Sequence, residues 1–427
     1  MAPRSRREVL HAGAAVGTVA IAGCLDRDGT AHDSAQRQAE SPIRPSRGTW
    51  PTAGRDPRNT RHSPSASPPR ADPTTAWSVS LSGVASAVVV GPDHVYASSD
   101  AETVAIAPDG TEQWRVGVGG GLSYIDQRLY ISAADLVALD TASGQEQWRS
   151  LTEDASPRAV HETSGTVYVT SRTAVHGLQP DSGAQRWRIE TARYPGLVAD
   201  TDRIALVTNE QVQLVAPGET VDGLLRDPAP RTTETIQPGW RPGVQSCTLL
   251  DEALFVTQYG DRLADADAAV RRYGLRTTDE RWMTPLTWAG VGSVAVDDDH
   301  VYAAPFRATT DPPDGSLVAL DRRRGTERWR YDGAMLGAPA VGGDTVVAGG
   351  ADPGSPSVCV SSTDDDADTE CSPGDSPADT GVLHAFDTET GDRLWTIRPG
   401  GSYGGYPLAL VDDRLYYGDE TGIHALV

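Results

Sequence analysis

Cys359 and Cys371 bracket a run that holds Asp364, Asp365, Asp366, Asp368 and Glu370. Such a pair can form a disulfide in an oxidising compartment, and the expectation is that Cys359 pairs with Cys371. The carboxylates between them are oxygen ligands of the kind a divalent cation takes. The run lacks the ordered spacing and the glycine of an EF-hand loop, so it reads as a solvated acidic loop with no resident metal. Asp261, Asp265 and Asp267 read the same way. Asp297-Asp298-Asp299-His300 has metal-ligating residue types, yet it aligns with other polar turns between strands and reads as a turn. A different chemistry is offered by Arg193, Tyr194, Trp240, Arg241, Trp288, Tyr403 and Tyr406, which lie in glycine-rich connectors. Aromatic and Arg side chains dominate binding energy at interfaces, so these seven are the candidate ligand or partner contacts. Packing between neighbouring units is the competing reading for any one of them. Cys247 has no companion and reads as a small buried apolar residue. The chain has no Gly-x-Ser-x-Gly, His-Glu-x-x-His, phosphate loop or Cys-x-x-Cys-His, and no lysine for a Schiff base. No catalytic residue is assigned.

The elements that must carry those connectors are repeats. Leu136-Val137-Ala138-Leu139-Asp140 leads through Gly144 to Trp148; the phrase returns at Asp321, Gly325 and Trp329, and at Asp387, Gly391 and Trp395. Looser copies end at Gly110 and Trp114, and at Gly183 and Trp187, and in all of them Gly stands four residues before Trp. Asp begins a turn by accepting backbone N–H bonds, Gly supplies positive φ, and the flanks read as strands. A further strand pair precedes each phrase, as at Leu122–Asp126 and Arg128–Ile131. Each unit is therefore four short antiparallel strands. A lone small sheet cannot bury both faces, so units must stack, and a Trp at one place per unit suits that stacking.

The unit from about Tyr194 to Arg226 has no closing Trp, and the next ends at Trp282. Trp77 sits on a strand with no hairpin before it, while Leu408–Val411, Arg414–Tyr417 and Ile423–Val427 are strands with no Trp strand after them. The two ends look like halves of one unit. With it the total is eight, so the expected fold is all-β: an eight-bladed propeller of four-stranded antiparallel blades, closed by pairing N- and C-terminal strands.

Net charge is −22, and every basic residue other than histidine is Arg. This acidic excess suggests a halophile's surface and argues against nucleic acid as a partner. Ser5-Arg6-Arg7-Glu8-Val9-Leu10 looks like a twin-arginine export signal, and the apolar run from Ala12 to Gly23 is too short to span a bilayer. It ends Ile21-Ala22-Gly23-Cys24, which resembles a lipobox and implies a lipid on Cys24. The expected organisation is a signal peptide over 1–23, a tether over 24–48 and a propeller over 49–427 with an acidic insertion at about 352–380. The expected location is the extracellular face of the cell membrane, as a lipid-anchored monomer.

The phrases Asp140–Gly144–Trp148, Asp321–Gly325–Trp329 and Asp387–Gly391–Trp395 resemble the repeats of the pyrroloquinoline-quinone-type β-propellers, and Trp50–Thr60 resembles the lead-in such propellers carry. The resemblance covers about 50–427. The family includes quinone-dependent alcohol and sugar dehydrogenases, which hold the quinone beside Ca²⁺ in the central funnel, and non-catalytic lipoproteins. Many of the enzymes carry two adjacent cysteines, which this chain lacks. The favoured reading, with a haloarchaeal source, is a binding or scaffolding module for an unknown protein or carbohydrate, without cofactor or metal. A quinone-dependent dehydrogenase is the enzyme alternative, and a carbohydrate-binding surface module is the third reading.

Overall fold

The inner three strands of the repeats are largely apolar because both of their faces are covered. Ala87–Val90, Val95–Ser98 and Thr103–Ile106 are buried at every residue, whereas the outer strand Glu112–Val116 alternates with solvent. A strand lying between two neighbouring sheets has no polar face to show; the outermost one does. The protein is described here from a computed structural model. It covers residues 46–150, 160–163, 165–191, 196–200, 203–208, 211–216, 220–221, 224–225, 231–236, 244–260, 268–287, 290–307, 314–351, 381–399 and 406–427.

Eight sheets follow one another in a ring. Blade 1 consists of the four strands just named. Blade 2 is Gly121–Ile125, Arg128–Ser132, Leu136–Asp140 and Glu146–Ser150; blade 3 is Val160–Thr163, Thr166–Thr170, Ala174–Leu178 and Gln185–Glu190. Blade 4 is Gly196–Asp200, Arg203–Val207, Val212–Ala216 and Arg231–Ile236; blade 5 is Val244–Leu250, Ala253–Gln258, Ala269–Gly274 and Glu280–Pro285. In blade 6 the innermost strand is broken into Gly290–Val291 and Ala295–Val296, ahead of His300–Ala303 with Pro305–Arg307, then Asp314–Asp321 and Glu327–Asp332. Blade 7 has Met335–Leu336 and Ala340–Gly342 inside, then Thr345–Ala351, Gly381–Asp387 and Arg393–Ile397. Blade 8 joins Leu408–Val411, Arg414–Gly418 and Gly422–Leu426 to Thr75–Ser80. Trp77 stands opposite Ala425 and Val79 opposite Ile423. The ring is an eight-bladed propeller closed by strands from both ends of the described chain, which pairs the edge of Gly422–Leu426 and gives blade 8 four strands like its neighbours. Among the described residues no helix is long and apolar enough to cross a membrane.

The core is a series of clusters, one at each seam. Tyr96 and Leu129 share the cluster between blades 1 and 2, and Val256, Leu214 and Val198 that between blades 4 and 5. The largest joins blades 7, 8 and 1 around Trp50. The seams are registered by one device. Trp114 Nε1 donates to Thr141 O in the turn of the next blade at 3.0 Å, Trp148 to Pro180 O at 2.7 Å, Trp282 to Arg322 O at 3.2 Å and Trp329 to Thr388 O at 2.7 Å. Each ring also covers the glycine of that turn. A Cβ on Gly144 would lie 2.7 Å from Trp114, and one on Gly391 would lie 2.6 Å from Trp329. These glycines have φ of 71° and 73°. The position therefore demands glycine twice, once for its backbone and once for the indole above it.

Asp140 Oδ1 accepts from the amide and hydroxyl of Ser143, at 2.9 and 2.7 Å. Asp321 and Asp387 cap their turns in the same way. Asp297 also folds its turn, with Oδ1 accepting from Asp299 N at 2.8 Å and His300 N at 2.6 Å, and Oδ2 from Tyr302 Oη at 2.8 Å.

Blade 4 departs from the sequence expectation of a unit ending near Arg226. Its outer strand is Arg231–Ile236, paired with Val212–Ala216, and a short hairpin of Thr220–Val221 with Leu224–Leu225 intervenes. The strand is rich in Thr and carries no Trp, so the closing phrase that marks the other units is missing from it.

Candidate functional site

The segment before the first blade closes one end of the central channel. Its carbonyls accept one amide each from successive inner strands: Trp50 O from Val90 N, Pro51 O from Tyr124 N, Pro57 O from Ala199 N, Arg58 O from Leu249 N, Thr60 O from Val296 N and Arg61 O from Val341 N, all at 2.7–2.9 Å. Those amides belong to blades 1, 2, 4, 5, 6 and 7, at the strand ends next to the first hairpin turns. Such a path needs tight bends. Arg55, Asn59 and Arg61 adopt φ of 69°, 60° and 52°, and a Cβ on Gly54 would collide with Asn59. Asp56 holds the bend, accepting from Thr60 N at 3.0 Å, Thr60 Oγ1 at 2.8 Å and Arg58 Nη2 at 2.9 Å.

The opposite end of the channel opens into a cavity of about 800 Å³. Its walls are the connectors Gly83–Val88, Gly337–Ala338 and Tyr406–Leu408 of blades 1, 7 and 8, with Gly418–Glu420 and Asp100 beside them; Ala53 and Arg61 of the lead-in also line it. Arg61 is spent on the backbone, donating from Nε to Pro339 O at 2.6 Å, from Nη1 to Ala53 O at 2.9 Å and from Nη2 to Ala338 O at 3.3 Å. Burial lowers its pKa to about 10, so it keeps its charge at neutral pH. Asp419 is spent on its own turn. Its Oδ1 accepts from Thr421 N, Thr421 Oγ1 and Gly422 N, and lies 3.0 Å from His424 Nε2. Burial opposes its charge, but the bonds from His424 and Thr421 outweigh burial and hold its pKa below the usual carboxylate value.

Tyr406 is 7% exposed and its hydroxyl has no partner among the described residues. Burial raises its pKa and the nearby Asp419 charge adds to the rise, so the phenol stays protonated. Asp100 is exposed at the rim, as are Glu420 and Val84. The cavity thus pairs an apolar and aromatic wall with an acidic rim, suited to a partner group that brings hydroxyl or basic character. A quinone with Ca²⁺ fits these residues poorly: a hard cation takes six to eight oxygen ligands, and the buried lining carboxylate, Asp419, already has its Oδ1 engaged four times.

Ser78 Oγ lies 2.8 Å from His424 Nδ1, which with Asp419 at Nε2 assembles the parts of a serine–histidine–acid relay. The same geometry recurs in blade 7, where His384 Nδ1 meets Thr396 Oγ1 at 2.8 Å. Both pairs are register partners between the third and outer strands. The arrangement is a cross-strand pair of the repeat, and no nucleophile is assigned to it.

Of the seven residues proposed from the connectors, Tyr406 lines the cavity; Arg193, Tyr194, Trp240, Arg241, Trp288 and Tyr403 lie outside the described residues. So do Cys24, Cys359, Cys371, Asp261, Asp265 and Asp267. Cys247 is 4% exposed in the seam of blades 4 and 5, and burial pushes its thiol pKa up. Arg61, Val84 and Asp419 escaped the sequence reading. Arg61 had a signal, since it directly follows the Trp50–Thr60 lead-in, whereas Val84 and Asp419 sit in short connections without a repeated phrase.

Fold, repeat and lead-in together define a β-propeller of the pyrroloquinoline-quinone type. The family model described as outer membrane protein assembly factor BamB matches residues 69–224 and 229–364, well over half of the chain, and the chain belongs to that family. Among solved structures it is similar to BamB from Moraxella catarrhalis, with a TM-score of 0.57 and 17% identity over 83% of this chain and 97% of that one. It is also similar to the quinohemoprotein alcohol dehydrogenase of Comamonas testosteroni, with a TM-score of 0.60 and 13% identity over 89% and 80%. The computationally designed Ika8 protein gives 0.61 and 12% over 82% and 98%. At such identities the likeness is one of fold alone. No curated protein sequence matches the chain.

Proposed function

We propose that this protein is an exported, lipid-anchored propeller that binds or scaffolds a protein or carbohydrate partner at the outer face of the cell membrane, using the open end of its channel. The observation that carries the reading is the plugged channel. The lead-in fills one end, and at the other the buried charges of Arg61 and Asp419 are committed to backbone and turn. A group already holding several hydrogen bonds is poorly placed to shuttle protons, whereas an apolar concavity with a polar rim suits recognition. Membership of the BamB family agrees with a scaffold. The likeness to quinohemoprotein alcohol dehydrogenases keeps oxidation of alcohols as the second reading.

The test uses protein purified from its own cells and a partner captured from their membranes. Val84→Arg at the rim, and Trp240→Ala and Tyr403→Ala in the connectors, should each weaken partner capture while leaving the melting transition in place. Added quinone and Ca²⁺ should give no dye-linked oxidation of alcohols or sugars. Undiminished capture by all three variants, or quinone-dependent turnover, would sink the proposal. The anchor is checked separately by mass spectrometry, which should find a lipid-modified Cys24 at the mature N-terminus.

A further inference from the structure

The seam between blades 5 and 6 departs from its counterparts. In six blades the residue opposite the Trp is small: Ala105, Ala138, Gly177, Ala319, Ala385 and Ala425. In blade 5 the residue opposite Trp282 is Arg272. The turn that receives Trp282 reads Arg322-Arg323-Arg324, where the equivalent turns read Thr141-Ala142-Ser143 and Thr388-Glu389-Thr390. Arg272, Arg322 and Arg323 converge on a pocket of about 370 Å³ whose other walls include Leu250, Ala253 and Phe255.

Three guanidinium groups around one cavity repel one another, and in a chain of net charge −22 their convergence is no accident of composition. Arg272 Nε and Arg322 Nε are buried and have no acceptor among the described residues. Burial, followed by the charges of Arg322, Arg281 and Arg323, lowers the pKa of Arg272, so its charge is opposed by its surroundings. Two carboxylates, Asp251 and Glu252, also line the pocket. Asp251 pairs with Arg322 at 2.7 Å but is 68% exposed, and Glu252 is drawn to Arg276, which does not line the pocket, at 2.8 Å. Arg272 and Arg323 are left without a carboxylate partner among the described residues. A buried donor with no acceptor is costly, and an anion would supply several acceptors at once.

We propose that this pocket binds a phosphate-type oxyanion, held by the forks of Arg272, Arg322 and Arg323. A tetrahedral dianion has enough acceptor oxygens for three guanidinium groups and the shape that Arg recognises in pairs, whereas a spherical halide offers neither. The site lies between blades 5 and 6, shares no lining residue with the channel-mouth cavity, and is independent of the binding role assigned to the channel mouth. Its anion has two sources, a free phosphate or a phospholipid headgroup. The lead-in starts on the same side of the propeller, where Gly48 packs against Asp412 in the first hairpin turn of blade 8; Asp251 and Glu252 form the same turn of blade 5.

The experiment titrates full-length protein carrying Cys24→Ser with inorganic phosphate at fixed chloride, followed by calorimetry and ³¹P line width. Arg272→Ala places in blade 5 the residue that five of its siblings have across from the Trp, so it should fold. It and Arg323→Gln should each weaken phosphate binding about tenfold or more. Asp251→Asn, which removes the competing carboxylate, should tighten it. Vesicles of phosphatidylglycerol, compared with vesicles of phosphatidylcholine, then separate the sources: selective binding lost in Arg272→Ala assigns the headgroup, and phosphate binding without vesicle binding assigns the free anion. No preference for phosphate over chloride, or equal affinity in wild type and both Arg variants, overturns the site.

Discussion

The indole Nε1 of Trp395 donates to the carbonyl oxygen of Pro69 at 2.8 Å, joining residues 326 positions apart. For Trp77, Trp114, Trp148, Trp282 and Trp329 the acceptor is a turn between the third and outer strands of the neighbouring blade. Blade 8 takes those two strands from different ends of the described chain, so it has no such turn, and the segment before Thr75 supplies the acceptor instead. The seam device survives the change of connectivity because it needs only a carbonyl in the right place.

Trp395→Ala should therefore loosen the closure as well as leave a cavity. The side chain is 3% exposed, and truncating a large buried aromatic costs about 3–5 kcal/mol. Denaturant unfolding measures this directly. A chain beginning at Ser82, which lacks both Pro69 and the Trp77 strand, should lose the cooperative melt of the parent.

Gly144→Ala should destabilise by about 1–2 kcal/mol from the left-handed backbone alone, with a further cost for displacing Trp114. Thr278 is the informative contrast. It occupies the same place, four residues before Trp282, with φ of 53° and its amide on Gly274 O at 2.9 Å. Thr278→Gly should stabilise, by less than about 1 kcal/mol, because relief of the β-branched residue's strain exceeds glycine's added chain entropy. Paired melting curves of the two variants would show shifts of opposite sign.

His300 gives the fold a pH dependence near neutrality. The Asp297 carboxylate, 3.7 Å from its Nδ1, raises its pKa, against partial burial and with further help from the charges of Glu389 and Asp299. A histidine whose folded pKa exceeds the unfolded value of about 6.5 contributes fully below that pH, and the contribution fades as pH rises through the folded value. Stability should fall over that window in the parent and stay flatter in His300→Gln. Asp297 has the opposite sign. Burial raises its pKa, but bonds from His300, Asp299 and Tyr302 prevail and lower it, so its contribution is lost as pH drops below the ordinary carboxylate range.

Non-reducing peptide mapping of protein isolated without reductant should recover Cys359 linked to Cys371. The loop between them is short, so reduction should cost only about 2–3 kcal/mol. Recovery of both as free thiols would refute the pairing.

The blade count and the closure were legible because each repeat spells out its seam. Gly and Trp recur at a fixed interval, since one side chain must cover the next turn and only glycine tolerates the cover. The exceptions follow the same physics. Blade 4 has no Trp, and the turn of blade 5 that such a Trp would cover has Thr278 in place of glycine. The turn that Trp187 would cover gives way to the excursion before Arg231, and Trp187 Nε1 has no acceptor among the described residues. The cavity was less legible. Its walls are short connections whose residues are chosen by position around a ring, and that order is absent from local spacing. The lead-in's role was hidden for a related reason: its contacts are made by backbone carbonyls, which every sequence possesses.

Those carbonyls set a timetable for biosynthesis. Trp50 through Arg61 emerge early, but their donors are completed blade by blade up to Val341, and Thr75–Ser80 waits for Gly422–Leu426. At roughly 5–20 residues per second that wait is tens of seconds. Throughout it the nascent chain carries an unpaired strand and an unseated plug, so the ring is finished only after translation has passed residue 426. Any chaperone or membrane translocase that handles this chain meets either an open arc or a completed ring.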